Sequence, residues 1–150
     1  MSWLKNNKPP ENDDATWKVL YGTIEGKKMS VRVDTKFVDK KYANTYYVQV
    51  KYSDEPTTEL PKVEFLKEIH AYEDKMDEII QKTFHEHVVY LGCAIFGGSA
   101  YLTYASNFAI KWVEMISHYM GYKINGGGYL NDNMGYYNDI MYPEYLRNGK

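Results

Sequence analysis

The sequence predicts an α+β fold built on an antiparallel sheet, and three observations point there. Apolar and polar residues alternate in several stretches rich in β-branched and aromatic side chains, two longer stretches repeat apolar residues at helical spacing, and Gly and Pro residues separate them. The resulting order is strand, strand, strand, helix, strand, strand, helix and a last strand. Without the first hairpin this becomes strand, helix, strand, strand, helix, strand, the ferredoxin-like order in which two helices cover one face of the sheet. The first two strands are then an additional N-terminal β-hairpin.

Taken in order, residues 1–14 read as a loose arm, because Lys5 to Asp14 is polar and holds the Pro9-Pro10 pair, which cannot extend a helix. Trp3 and Leu4 are the arm's candidates for docking. From residue 15 onward the chain reads as a single domain to residue 150. Trp17, Val19 and Tyr21 alternate with Lys18, Leu20 and Gly22, Glu25-Gly26 offers a turn, and Met29, Val31 and Val33 alternate with Ser30, Arg32 and Asp34. Thr45 to Tyr52 supplies a third strand. Two prolines make Ser53 to Pro61 a loop, after which Val63, Leu66, Ile69, Met76, Ile79 and Ile80 predict a helix to about Lys82.

Val88 to Thr103 reads as a second hairpin, with Val89, Leu91, Cys93 and Ile95 on one face and the turn at Gly97-Gly98. Ser106 or Asn107 can cap the next helix, whose stripe of Ala109, Trp112, Val113, Ile116 and Met120 stops at Gly121. Gly126, Gly127 and Gly128 predict a hinge or tight turn. The last strand is expected around Tyr122 to Asn125, with one helical turn near Pro143.

Composition excludes several classes. The chain has 150 residues, enough to bury roughly 70% of the surface of its unfolded form around one core. Eighteen basic residues are interspersed with 20 acidic ones for a net charge of −2, so no stripe for tracking phosphates is expected and nucleic acid is not the predicted partner. Lys27, Lys28, Arg32, Lys36, Lys40 and Lys41 crowd one hairpin and its exit, which reads as a solvated strand face. The single cysteine, Cys93, sits in an apolar run and cannot form an intramolecular disulfide, which suits a cytoplasmic location. No stretch approaches the ~18 apolar residues of a membrane span.

The outlier is tyrosine, with 16 residues against 5 Phe and 3 Trp. Tyr joins a large apolar ring to a polar tip and loses little entropy when fixed, so a surplus suits half-wet contact surfaces. Tyr46 and Tyr101 on predicted strands, and Tyr129, Tyr136 and Tyr137 in the tail, are the candidate binding residues. A tail of Tyr, Asn, Gly and Asp resembles adaptable binding loops, but an ordered tail that closes the core would use the same residues. The basic-aromatic signature of RNA-binding ferredoxin-like sheets is absent.

The candidates for catalysis are fewer. His85 and His87 would share a face if they lay on a strand, yet two imidazoles are short of the three or four ligands of a zinc site, so no metal or cofactor is expected. His70, Glu73, Asp74 and Asp77 follow helical spacing, and Glu73 falls within the apolar stripe, as a boundary carboxylate contacting Arg or Lys would. A small hydrolase or nuclease-like enzyme using His70, Glu73, His85 and His87 is the alternative to a binding module. Ser99, Ser106 and Cys93 stand in no nucleophile motif.

With these elements placed, the chain resembles a bacterial family known only as domain of unknown function six hundred and ninety-five. The resemblance is carried by Trp17, Tyr21 and Gly26, by Val33-Asp34, Leu60-Pro61 and Glu73-Asp74, by Gly92 and Gly97-Gly98, and by Asp139 and Tyr142-Pro143. It spans Trp17 to Pro143. Some members are fused to a domain similar to the regulator of ribonuclease E activity B, a small inhibitor that binds a nuclease, so the resemblance implies a regulatory, protein-binding role. It supplies no catalytic residues. The expectation is therefore a non-enzymatic protein-binding or regulatory module, with a protein partner and an open sheet face or the Tyr-rich tail as its contact surface.

Overall fold

Two hydrophobic clusters, one on each side of a six-stranded antiparallel sheet, organise this α+β protein. The computed structural model describes residues 16–149; the expected arm, with Trp3 and Leu4, lies outside the described residues. The elements are β1 (Trp17–Ile24), β2 (Lys27–Asp34), β3 (Asn44–Lys51), α1 (Val63–Thr83), β4 (Val88–Phe96), β5 (Ser99–Ser106), α2 (Trp112–Met120), β6 (Asn125–Tyr129) and α3 (Glu144–Gly149). In the sheet they run β1-β2-β4-β5-β3-β6, every neighbouring pair antiparallel.

Both hairpins turn where glycine was expected to turn them, β1–β2 at Glu25-Gly26 and β4–β5 at Gly97-Gly98. In β3 the alternation is clean: Tyr46, Val48 and Val50 enter one cluster together with Phe65, Ile69, Met76 and Ile80 of α1 and Trp112 and Ile116 of α2. Each such apolar side chain contributes roughly 1.5–3 kcal/mol by leaving water. Met29, Val31 and Val33 of β2 belong to the other cluster. In β4 the register shifts between Tyr90 and Gly92, and Gly92 adopts φ 137° with the β2 backbone so close that a Cβ would strike Arg32 O and Val33 Cα. That bulge corrects the expectation of one shared face: the extra residue flips the alternation, so Val89 and Leu91 serve one cluster and Cys93 and Ile95 the other.

Three further expectations need correction. The glycine run is neither hinge nor turn: Gly126 to Gly128 lie inside β6, so the last strand spans Asn125–Tyr129 rather than residues 122–125. Glycine is required there by proximity, since a Cβ on Gly128 would lie 2.7 Å from the Tyr46 ring and one on Gly126 would strike the Tyr47 carbonyl oxygen. The second helix begins at Trp112, and the expected caps work elsewhere: Ser106 Oγ accepts from Phe108 N (3.0 Å) and Asn107 Oδ1 accepts from Ala43 N (2.9 Å). Gly121 does terminate it, with φ 88°. Lastly, the basic hairpin is no uniform solvated face, because Arg32 is buried and Lys27, Lys28 and Lys36 pair with Glu25, Glu59 and Asp34.

After β6 the chain crosses back over the sheet. Asn131, Asn133 and Met134 all take positive φ, and the reversal is tied down by side chains: Thr45 Oγ1 donates to Asp132 Oδ1 (2.9 Å), Tyr136 N donates to Asp132 Oδ2 (3.0 Å), and Asn131 N donates to Asn44 Oδ1 (2.8 Å). A π-helical turn over Tyr137–Met141 and α3 then press Met134, Tyr137, Met141, Tyr142 and Leu146 onto β2 and β4. Among the described residues no helix is long and apolar enough to cross a membrane.

Candidate binding surface

The crossing tail covers only part of the second side of the sheet. Over β3, β5 and β6, the residues that alternate with the Tyr46–Val50 stripe point to the opposite face of the sheet: Tyr47 and Gln49 on β3, Tyr101 and Thr103 on β5, Tyr129 on β6. Register places Gln49 opposite Tyr101 and Tyr47 opposite Thr103 and Gly127. The bare Gly127 leaves room for the Tyr47 ring, to whose hydroxyl a Cβ would come within 3.0 Å.

A row of rings results. Tyr101 meets Tyr47 edge-on at 5.8 Å between centroids, Tyr47 meets Tyr129 at 5.9 Å, and Tyr129 stacks on Tyr136 at 5.8 Å with planes 13° apart. Phe96 extends the row beyond Tyr101 at 5.2 Å. Tyr129 is 45% exposed, whereas Tyr47, Tyr101 and Tyr136 are half-buried, partly by one another. Burial and then the neighbouring Tyr47 and Tyr101 hydroxyls push the Tyr129 hydroxyl above its ordinary pKa, and burial followed by Tyr129 does the same to Tyr136. Tyr129 and Tyr136 therefore present neutral hydroxyls together with ring faces, suited to hydrogen bonding and apolar contact at once. Gln49 Nε2 donates to Ser99 Oγ (2.8 Å) along its border.

Of the five tyrosines expected to bind, Tyr101, Tyr129 and Tyr136 meet in this row and two do not. Tyr46 is 2% exposed and stacks on Trp112 at 5.1 Å; its hydroxyl donates to Phe108 O and accepts from Ile110 N, both at 2.9 Å. Tyr137 is fully buried, its hydroxyl donating to Asp34 O at 2.8 Å. Both hold the fold together and neither is available to a ligand. Tyr47 takes the place of Tyr46, and the signal for it lay in the strand itself: Tyr47, Gln49 and Lys51 form the polar phase, and Tyr46, Val48 and Val50 the apolar one.

The residues expected for acid–base chemistry are divided. Glu73 is buried on α1, its Oε2 accepting from the Tyr90 hydroxyl (2.5 Å) and facing Arg32 Nη1 at 3.6 Å. The Arg32 guanidinium lies over the Trp17 ring at 4.1 Å. Burial and then Glu73 raise the Tyr90 hydroxyl well above its ordinary pKa. His70 is buried on the same helix, where burial lowers its pKa and Asp74 partly opposes the shift. His85 and His87 instead occupy an exposed 3-10 turn, where the alternation of a strand is absent; His85 has φ 54° and His87 meets the Phe108 ring edge-on at 5.0 Å. Among the described residues no group of three or more His, Cys, Asp or Glu is placed to hold a metal ion. A groove of about 570 Å³ between the loop before α1 and the helix start is lined by Lys51, Tyr52, Glu59, Pro61, Phe65 and Glu68, among others, and contains none of these four residues.

A family model described as a family of unknown function, DUF695, matches residues 15–142. The chain belongs to DUF695. No curated protein and no solved structure matches it. The DUF695 match takes in all six strands, both longer helices and the π-helical turn, and so includes the tyrosine row as well as the Arg32–Glu73–Tyr90 cluster.

Proposed function

We propose that this protein is a non-enzymatic protein-binding or regulatory module whose contact surface is the part of the sheet left open over β3, β5 and β6. The observation that carries the reading is the unbroken row Tyr101–Tyr47–Tyr129–Tyr136, four rings in sequential contact on the side of the sheet away from α1 and α2. Rigid aromatic side chains with polar tips are the residues that dominate binding energy at protein interfaces, and a sheet holds them without further ordering cost. The separation of buried His70 and Glu73 from exposed His85 and His87 weighs against a hydrolase built from those four.

The ferredoxin-like reading of the architecture belongs to the same proposal. Its support is the order β4-β5-β3-β6 within the sheet and the shared cluster of buried α1 and α2 side chains, which leaves the opposite side for recognition. For a cytoplasmic setting the support is the cysteine count, since one cysteine cannot form an intramolecular disulfide.

The test is affinity capture from lysate of the source organism with the wild-type chain and with Tyr101→Ala/Tyr129→Ala, each with and without nuclease treatment. A stoichiometric protein that survives nuclease and is lost with the double variant supports the proposal. Retention that disappears on nuclease treatment replaces it with RNA recognition.

A further inference from the structure

The two edges of the sheet differ in a way the tyrosine row does not explain. At β1, α3 lies against the edge: the Tyr145 hydroxyl donates to Thr23 O (3.2 Å), and Gly22 lies beneath Tyr145 and Leu146, whose side-chain atoms come within 3.0 and 3.3 Å of where its Cβ would be. Exposed Lys18 adds a charge there. Covering and charging an edge are the usual ways by which sheets prevent further pairing. Among the described residues neither device is present at β6. Among the described residues β3 is its only ladder partner, and Asn125–Tyr129 contains no charge and no proline. The strand is instead bracketed by exposed apolar side chains, Tyr122 at 51% and Leu130 at 59%, with Tyr129 between them.

We propose that β6 is a self-association edge, to which a second copy of this chain adds its own β6 antiparallel about a two-fold axis through Gly127. The strand is its own complement. In that register Asn125 faces Tyr129 of the other copy, Gly126 faces Gly128, and Gly127 faces itself, so no like charges and no bulky pairs collide. Each Tyr129 ring lies diagonally over the side-chain-free Gly127 of the other copy, the arrangement in which an aromatic ring shields strand glycine from water. Beyond the strand ends, Lys123 of one copy approaches Asp132 of the other, and the exposed Leu130 meets the segment around Ile124. Five paired residues alone bury too little surface for a stable dimer, so these flanks supply the remainder. A closed two-fold contact uses up both free edges and ends the assembly at two copies. The inference stands on the edge and its flanks, independently of whether the tyrosine row binds a foreign protein.

Sedimentation velocity from micromolar to millimolar chain concentration tests it, with two variants. Leu130→Lys changes only an exposed side chain, and is expected to weaken the dimer at least about tenfold while the circular dichroism spectrum and Tm stay as in wild type. Asn125→Cys/Tyr129→Cys places two thiols directly across the proposed ladder, within disulfide reach, and is expected to give a covalent dimer with oxidised glutathione, whereas either single variant does not. Monomer at every concentration overturns the proposal. So does a dimer indifferent to Leu130→Lys that yields no cross-link between positions 125 and 129.

Discussion

The second side of this sheet has two halves that use tyrosine in opposite ways. Over β2 and β4 the tail seals the strands, and Tyr137 is buried with its hydroxyl committed to Asp34 O. Over β3, β5 and β6 the rings of Tyr47, Tyr101, Tyr129 and Tyr136 touch one another with solvent beside them. Tyr136 and Tyr137 are chain neighbours on either side of this boundary. The contrast teaches that tyrosine content alone does not distinguish core from surface; what decides is the setting of the ring, fully buried with its hydroxyl bonded to backbone in one half and lined up beside other tyrosine rings at the surface in the other.

The strongest way to break the comparison is within the sealed half. Tyr137→Ala removes a fully buried ring and is expected to cost about 3–5 kcal/mol in urea unfolding. Next, Gly128→Ala attacks the close approach of β6 to β3: a methyl group 2.7 Å from the Tyr46 ring should cost about 1–3 kcal/mol, a loss that disappears if the glycine run is merely a loose connection.

Alkaline titration is expected to have a graded effect. The Tyr90, Tyr104, Tyr136 and Tyr137 hydroxyls are all pushed above their ordinary value of 10.0, chiefly by burial. Above that pH the unfolded chain releases protons that the folded chain keeps, so stability holds below pH 10 and falls as pH rises beyond it. Tm measured across this range, together with tyrosinate absorbance, checks the sign. The smallest stability change is predicted for the open half, where Tyr129→Ala should cost less than about 1 kcal/mol because the ring is already partly in water.

Much of the frame was legible because local patterns and tertiary structure agree. The alternation in β2 and β3, the two glycine turns, the α1 stripe and the Gly121 stop each follow from a period or a positive φ that a single stretch of sequence reveals, whereas β1 turns Leu20 and Ile24 rather than Val19 and Tyr21 to the core, and the bulge breaks the period of β4. The tail was legible only in its helical turn after Pro143, for a physical reason. Met134, Tyr137 and Met141 are spaced across a reversal with three positive-φ residues and a π-helical turn, so neither the helical nor the strand period describes them. The Gly126–Gly128 run has the composition of a loop, and becomes a strand only because Tyr46 and Tyr47 leave no space for side chains. Likewise, Glu73 was readable as a boundary carboxylate, but its partner Arg32 lies 41 positions away on a strand read as solvated, and only the fold unites them.

The most direct test of the central claim is the affinity of the captured protein partner for the Tyr101→Ala/Tyr129→Ala variant, measured by calorimetry beside wild type and Tyr137→Phe. A contact surface on the open half predicts that the double variant binds at least about 30-fold more weakly, a loss of about 2 kcal/mol, while Tyr137→Phe binds as wild type does. Affinity of the double variant within about twofold of wild type would contradict the claim and place recognition elsewhere on the molecule.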